Sequence, residues 1–126
     1  MHENDIGTVI VDAAIHLHKD LGPGLLESVY EATLAAKLRQ RGLFVKRQVA
    51  IPVTYDGQQF EEGFRADLMV HNKVIIEIKS VETIHPVHKK QLLTYLRLTG
   101  TKLGYLLNFG EALMRDGISR IINGQL

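Results

Sequence analysis

Apolar residues recur at helical spacing from the start of the chain. Ile6, Val9, Ile10, Ala13, Ala14 and Leu17 fall three or four apart after Asn4 and Asp5, residue types that cap helices. This spacing predicts a first helix over about residues 5 to 19. Leu21-Gly22-Pro23-Gly24 breaks it, because Gly and Pro punctuate helices. A second helix is expected from about Leu25 to Arg41, stopped by Gly42. Its expected apolar face is Leu26, Val29, Ala32 or Thr33, Ala36 and Leu38.

The period then changes from helical to alternating. Val45 to Ile51 and Val53 to Tyr55 read as extended chain, with Pro52 marking an edge or a bulge. Asp56-Gly57 is a hairpin turn signal. Phe60 to Val70 and Val74 to Lys79 follow as strands. Pro86 suits a first helical turn, and Val87 to Leu98 carries Leu92, Leu93, Leu96 and Leu98 before Gly100 closes the helix. Leu103 to Phe109 is a short continuous apolar run of the kind that forms a buried strand. Leu113 to Ile122 adds a further strand or turn. The order helix, helix, strand, strand, strand, helix, strand favours an α/β sheet with helices on both faces.

The strongest chemical signal lies in the second hairpin. Ala66, Leu68, Val70, Val74, Ile76 and Ile78 alternate to form one apolar face, which leaves Arg65, Asp67, Glu77 and Lys79 on the other. A one-residue slip would turn one apolar set outward, so parity is constrained. Asp67 opposite Glu77 requires Val70 opposite Val74 and a loop of His71, Asn72 and Lys73. Two carboxylates facing one another repel. A divalent cation such as Mg²⁺ would relieve the repulsion, since it takes oxygen ligands and keeps several waters. Lys79 on the same face would stabilise a hydroxide or a phosphorane-like transition state. The competing reading is a solvated face with a Glu77–Lys79 surface pair.

Composition narrows the rest. A chain of 126 residues with 45% hydrophobic and 23% charged residues matches one ordinary globular domain, expected over residues 1–126. Fifteen Lys and Arg against fourteen Asp and Glu leave a net charge of +1, which excludes binding by bulk positive charge. The absence of cysteine excludes disulfide frameworks and thiolate zinc sites. Charges interrupt every apolar stretch well short of the ~20 residues that a membrane helix needs. His2, Glu3 and Asp5 lack the basic-then-apolar order of a signal peptide, so the cytoplasm is the expected compartment.

Several blocks taken together resemble a known family. Asp67, nine residues, then Glu77-Ile78-Lys79 resembles the Asp…(Asp/Glu)-x-Lys signature of the PD-(D/E)XK nuclease superfamily. Gly24-Leu25-Leu26-Glu27-Ser28-Val29-Tyr30 matches the Gly-x-x-Glu-x-x-Tyr motif that names its GxxExxY family. Phe64 to Asp67, Gln91 to Leu96 and Gly104 to Gly110 agree further, and the resemblance covers residues 5 to 123. Ala66 stands where the superfamily name has Pro, a position that carries no chemistry. The resemblance implies a restriction-endonuclease-like three-layer sandwich, a central mixed β-sheet flanked by helices. It implies phosphodiester hydrolysis with Mg²⁺ or Mn²⁺ on nucleic acid, DNA being the expected substrate. Asp67 and Glu77 would be metal ligands together with the Ile78 carbonyl, and Lys79 the catalytic lysine. Glu27 would extend the metal site from its helix, Gln91 would stand near the reaction, and Tyr95 lies one turn after it. The alternatives are a non-catalytic nucleic-acid-binding module and a homodimeric interaction protein on the same fold.

Other residues carry two readings each. Glu27 shares a helix face with Tyr30, Glu31 and Leu34, and outside the motif would be an exposed glutamate. Tyr30 is expected to pack and donate one hydrogen bond. His88 either caps its helix or approaches a phosphate. Arg65 pairs with a carboxylate or binds phosphate. His16 and His18, two apart on a helix, make a poor metal pair. Acid-free stretches hold Lys37, Arg39, Arg41, Lys46 and Arg47, then Lys89, Lys90, Arg97 and Lys102. Of these, Lys46, Arg47, Lys89 and Lys90 are candidate nucleic-acid contacts on a basic rim.

Overall fold

The computed structural model describes residues 1–126. Helix α1 runs over Glu3–Leu21. Its cap is His2, two residues upstream of Asn4, the first of the expected capping pair: Asn4 N–H donates to His2 Nδ1 at 3.0 Å, and Asp5 accepts from His2 N–H at 3.2 Å. Ile6, Ile10, Ala13, Ala14 and Leu17 are buried on its inner face, as the periodicity requires.

Helix α2 spans Glu27–Gln40 and ends in a Schellman turn. Gly42 at φ +88° lets Leu43 N–H reach Leu38 O and Gly42 N–H reach Arg39 O. Its buried face differs from the expected one. Tyr30, Glu31, Leu34, Ala35 and Leu38 face inward, whereas Ala36 and Val29 are exposed and Leu26 is 75% exposed. The physical reason is that Tyr30 and Glu31 both have internal partners. Tyr30 Oη donates to Gly22 O at 2.5 Å and accepts from Leu25 N–H at 3.1 Å. Polar tips satisfied in this way allow their stems to be buried.

The sheet has the order β1-β2-β3-β4-β5, from Val45–Tyr55, Gln58–Val70, Val74–Lys79, Leu103–Asn108 and Ile118–Ile122. All neighbours are antiparallel except β3 and β4, which run parallel from Val74↔Leu103 to Lys79↔Asn108. Helix α3, Pro86–Thr99, makes the crossover between them. A short 3₁₀ turn, Met114–Asp116, precedes β5. Pro52 lies on the edge strand and also at a register shift between Ile51 and Val53. Asp56 and Gly57 both take positive φ in the β1–β2 turn, as a type I′ hairpin demands.

Two apolar layers enclose the sheet. One joins α1 and α2 to Leu68, Val70, Val74, Ile76, Ile78, Tyr105 and Leu107. The other joins Leu92 and Leu96 of α3 to Phe64, Ala66, Met69, Ile75 and Leu106. In α3, Leu98 is exposed, outside the apolar set that the spacing suggested. Ala66 was expected to share a face with Leu68 and Val70, but it packs with Phe64 beneath α3. The edge strand makes the same change: Val45 belongs to the first layer, while Val49, Ile51 and Val53 pack on the second. Both strands change sides where Gln48, at φ +50°, lies across from Asp67.

Tyr30 ties α2 to the rest. Its ring stacks on Phe109 at 4.4 Å, and its hydroxyl holds the Gly22–Leu25 loop that leads into Glu27. Tyr30→Phe should keep the stack, lose both hydrogen bonds and cost about 1–3 kcal/mol in urea unfolding.

Candidate active site

The β2–β3 ladder pairs Val70 with Val74, Met69 with Ile75 and Leu68 with Ile76, and it stops there. The intervening loop is His71, Asn72 and Lys73, as the carboxylate register requires. One step further, Asp67 does not continue the backbone pairing. Its carboxylate Oδ2 accepts the Ile78 N–H at 2.8 Å. A side chain thus replaces a strand neighbour, and the sheet opens at that point into a cleft.

The cleft has a volume of about 270 Å³. Its lining includes Glu27, Arg65, Asp67, Glu77, Lys79, His88, Gln91 and Tyr95. Four elements contribute to this set. Glu27 is the first residue of α2, Asp67 and Arg65 come from β2, and Glu77 and Lys79 from β3. His88, Gln91 and Tyr95 occupy the cleft-facing side of α3, with spacings of three and four. Leu106 of β4 closes the floor.

Glu77 is the most perturbed group. Burial, then the negative charge of Asp67, push its carboxyl up to about 9. Its Oε1 is buried and has no hydrogen-bond partner. His88 is held below its ordinary range by burial, then by Lys79 and His85, and its Nδ1 is also buried without a partner. Tyr95 is pushed up by burial and then by Glu77 and Asp67. Its ring lies flat on Phe64, with centroids 3.7 Å apart, which fixes the phenol at the cleft.

Other candidates fall elsewhere. Tyr30 is absent from the cleft lining and serves the loop before Glu27. Ile78 presents its N–H to Asp67 and its side chain to the first apolar layer. Arg65 lines the cleft while its guanidinium pairs with Glu62 at 2.8 Å. The expected basic rim is thinner than the sequence implied. Arg47 is paired to Glu31 at 3.0 Å, Arg41 to Asp12, and Arg39 donates to Val45 O at 2.8 Å. Lys46 stands 5.5 Å over the Phe44 ring, whereas Lys89 and Lys90 are exposed near the start of α3. His16 and His18 part company, as expected: His18 is buried on Glu111 O at 2.8 Å, and His16 stays exposed beside Asp12.

Two residues that the sequence reading passed over belong to the surroundings of Asp67. Gln48 Nε2 donates to Asp67 Oδ1 at 3.3 Å and to Glu31 Oε1. Glu31 is only 6% exposed, and its position in register with Glu27 and Tyr30 was the available signal. Gln48 had none, because its role depends on a backbone conformation that alternation does not reveal.

Comparison with known proteins follows from this geometry. A family model described as the PD-(D/E)XK nuclease superfamily matches residues 4–121. The chain belongs to the PD-(D/E)XK nuclease superfamily. Among solved structures, the crystal structure of SSO0001 is similar at a TM-score of 0.53 and 21% identity, over 93% of this chain and 67% of that one. That likeness shows the shared fold, a mixed five-stranded sheet flanked by helices. No curated protein matches.

Superfamily nucleases use divalent metal ions, and the donors present suit one. Asp67 and Glu77 offer hard carboxylate oxygens side by side, one of them buried without any donor. No set of three acidic or imidazole side chains converges, so Glu27 lines the cleft without joining the pair as a third close ligand. Two carboxylates are enough for an ion that retains its waters.

The raised Glu77 carboxyl has a direct consequence for the metal-free protein. Stability from its neutral form is complete below about 4.5 and is lost as pH rises through about 9. Urea unfolding should therefore weaken across that window relative to Glu77→Gln, which cannot ionise. Added Mg²⁺ should restore more stability at pH 8 than at pH 5.

Proposed function

We propose that this chain is a metal-dependent nuclease that hydrolyses phosphodiester bonds of DNA, and that it falls within the GxxExxY family of its superfamily. The observation that supports this best is the meeting of Asp67, Glu77 and Lys79 in one cleft with a buried, partnerless Glu77 oxygen. A solvated surface pair would leave that oxygen in water.

In this reading Asp67 and Glu77 hold Mg²⁺ or Mn²⁺, with the Ile78 carbonyl as a further ligand. The cation, when bound, lowers the pKa of a coordinated water and offsets charge on the scissile phosphate. Hydrolysis forms a bond between the water oxygen and phosphorus and breaks one ester P–O bond. It leaves a phosphate monoester and a free hydroxyl. Lys79 stabilises the negative charge that builds on the pentacovalent phosphorus and the attacking oxygen. Gln91 and Glu27 orient the substrate and the water at the mouth of the cleft. Tyr95, fixed by Phe64, limits where a phosphate can sit. Lys89 and Lys90 carry the adjoining backbone phosphates.

Purified protein with Mg²⁺ or Mn²⁺ should cleave at least one of single-stranded, duplex or branched DNA, and chelation should stop it. Asp67→Ala and Lys79→Ala should each lower the rate by about 10²-fold or more, the scale seen when one transition-state contact is lost. Lys79→Ala should keep its DNA affinity. The reading fails if neither DNA nor RNA is cut with either ion and calorimetry finds no metal binding that depends on Asp67. Binding of DNA without cleavage would favour the non-catalytic module.

A further inference from the structure

Gln48 lies directly across from Asp67, in the register that pairs Arg47 with Leu68 and Val49 with Ala66. Its backbone sits at φ +50°, in the left-handed region that residues with side chains rarely adopt. An outlier of this kind inside a strand persists only where the surroundings hold it. Three contacts do so here. The Gln48 carbonyl accepts from the Arg65 guanidinium at 3.2 Å. Its Nε2 donates one hydrogen to Glu31 Oε1 and the other to Asp67 Oδ1 at 3.3 Å. Glu31 is itself buried, and its second oxygen is taken by Arg47 at 3.0 and 3.1 Å.

The carboxylate of Asp67 therefore receives one donor on each oxygen: the Gln48 amide on Oδ1 and the Ile78 N–H on Oδ2. Each oxygen keeps a lone pair for another partner. The choice of an amide is informative. A lysine or arginine at this position would neutralise Asp67 and compete with a cation, whereas an amide orients the carboxylate and leaves its charge in place. Arg47 sits one carboxylate further away, on Glu31, where it compensates charge without reaching Asp67.

We propose that Gln48, anchored by Glu31 and Arg47, is a positioning residue that sets the orientation of Asp67 for cation binding. The proposal rests on the metal-dependent reading of the cleft. Its test is arranged so that the two can fail separately.

Gln48→Gly is the decisive variant, because glycine accepts φ +50° without strain while the amide is deleted. In the metal-free protein, hydrogen exchange at the Ile78 amide should rise about tenfold or more relative to Ile76, since a freed Asp67 no longer guards it. Mn²⁺ affinity by calorimetry should fall about 10–100-fold, the usual effect of losing a partner behind a ligand. The thermal midpoint should stay near that of the wild type. Glu31→Ala, which releases the amide from its anchor, should reproduce the exchange and affinity changes. Wild-type Ile78 protection in both variants overturns the proposal. So does unchanged Mn²⁺ affinity in both while Asp67→Ala abolishes binding. A wild-type protein with no Asp67-dependent Mn²⁺ binding overturns the metal reading instead, and Ile78 exchange still decides whether Gln48 orients Asp67.

Discussion

Backbone pairing between β2 and β3 stops at Leu68 and Ile76, and the next donor on β3, Ile78 N–H, goes to the Asp67 carboxylate. Much of the molecule is arranged around that exchange. A ladder that continued would close the sheet where the cleft now opens. A ladder that ended without a substitute would leave a buried N–H unpaired, at a cost of about 1–3 kcal/mol. Using Asp67 for this purpose satisfies the donor and brings a carboxylate to the edge of β3, beside Glu77. The change of sides in β1 and β2 belongs to the same event: Ala66 turns toward α3 and Leu68 toward α1 and α2. Asp67 stands between the two.

Electrostatics make the cleft an unfavourable place for two ionised carboxylates. Two carboxylates share a partly buried volume, and Glu77 responds by holding its proton well into the alkaline range. The nearby lysine lowers this effect without cancelling it. Two carboxylates held together in this way are stabilised by whatever supplies further positive charge. Structural stability and affinity for a cation are therefore two readings of one imbalance.

The scaffold that tolerates this is rigid on both sides. Asn108, fully buried at the end of β4, accepts from Val81 N–H and Gly110 N–H and donates to Val81 O, so the segment after Lys79 is pinned. Gly110 has to be glycine there, because a Cβ would lie 2.1 Å from Val81 O. Tyr30 pins the loop that leads into Glu27 in the same manner. Motif residues that look chemical in the sequence thus divide into two kinds: those that line the cleft and those that fix the chain on its approach.

Local pattern determined much of what is seen. Helical spacing in residues 6–17, the Gly42 and Gly100 stops, the Asp56-Gly57 turn and the alternation of Val74–Lys79 each follow from short-range sterics and from burying one face. Parity alone set Val70 opposite Val74 through a three-residue loop, but the ladder ends at Leu68 and Ile76, one step short of an Asp67–Glu77 pair. Tyr30 packs as its residue type suggested, but the burial of Glu31 and the exposure of Leu26 and Val29 depend on partners brought by the Gly22–Leu25 loop and by β1. The loss of the arginines from the basic rim has the same origin, since Glu31 and Asp12 claim Arg47 and Arg41 only once α1, α2 and β1 are packed together. Gln48 shows the limit most clearly. Its residue type is ordinary, and only the tertiary structure, by forcing φ +50° and setting two carboxylates within reach of one amide, makes it part of the site. Sequence specifies interactions between residues a few positions apart; contacts across 17 to 19 positions depend on how the elements pack.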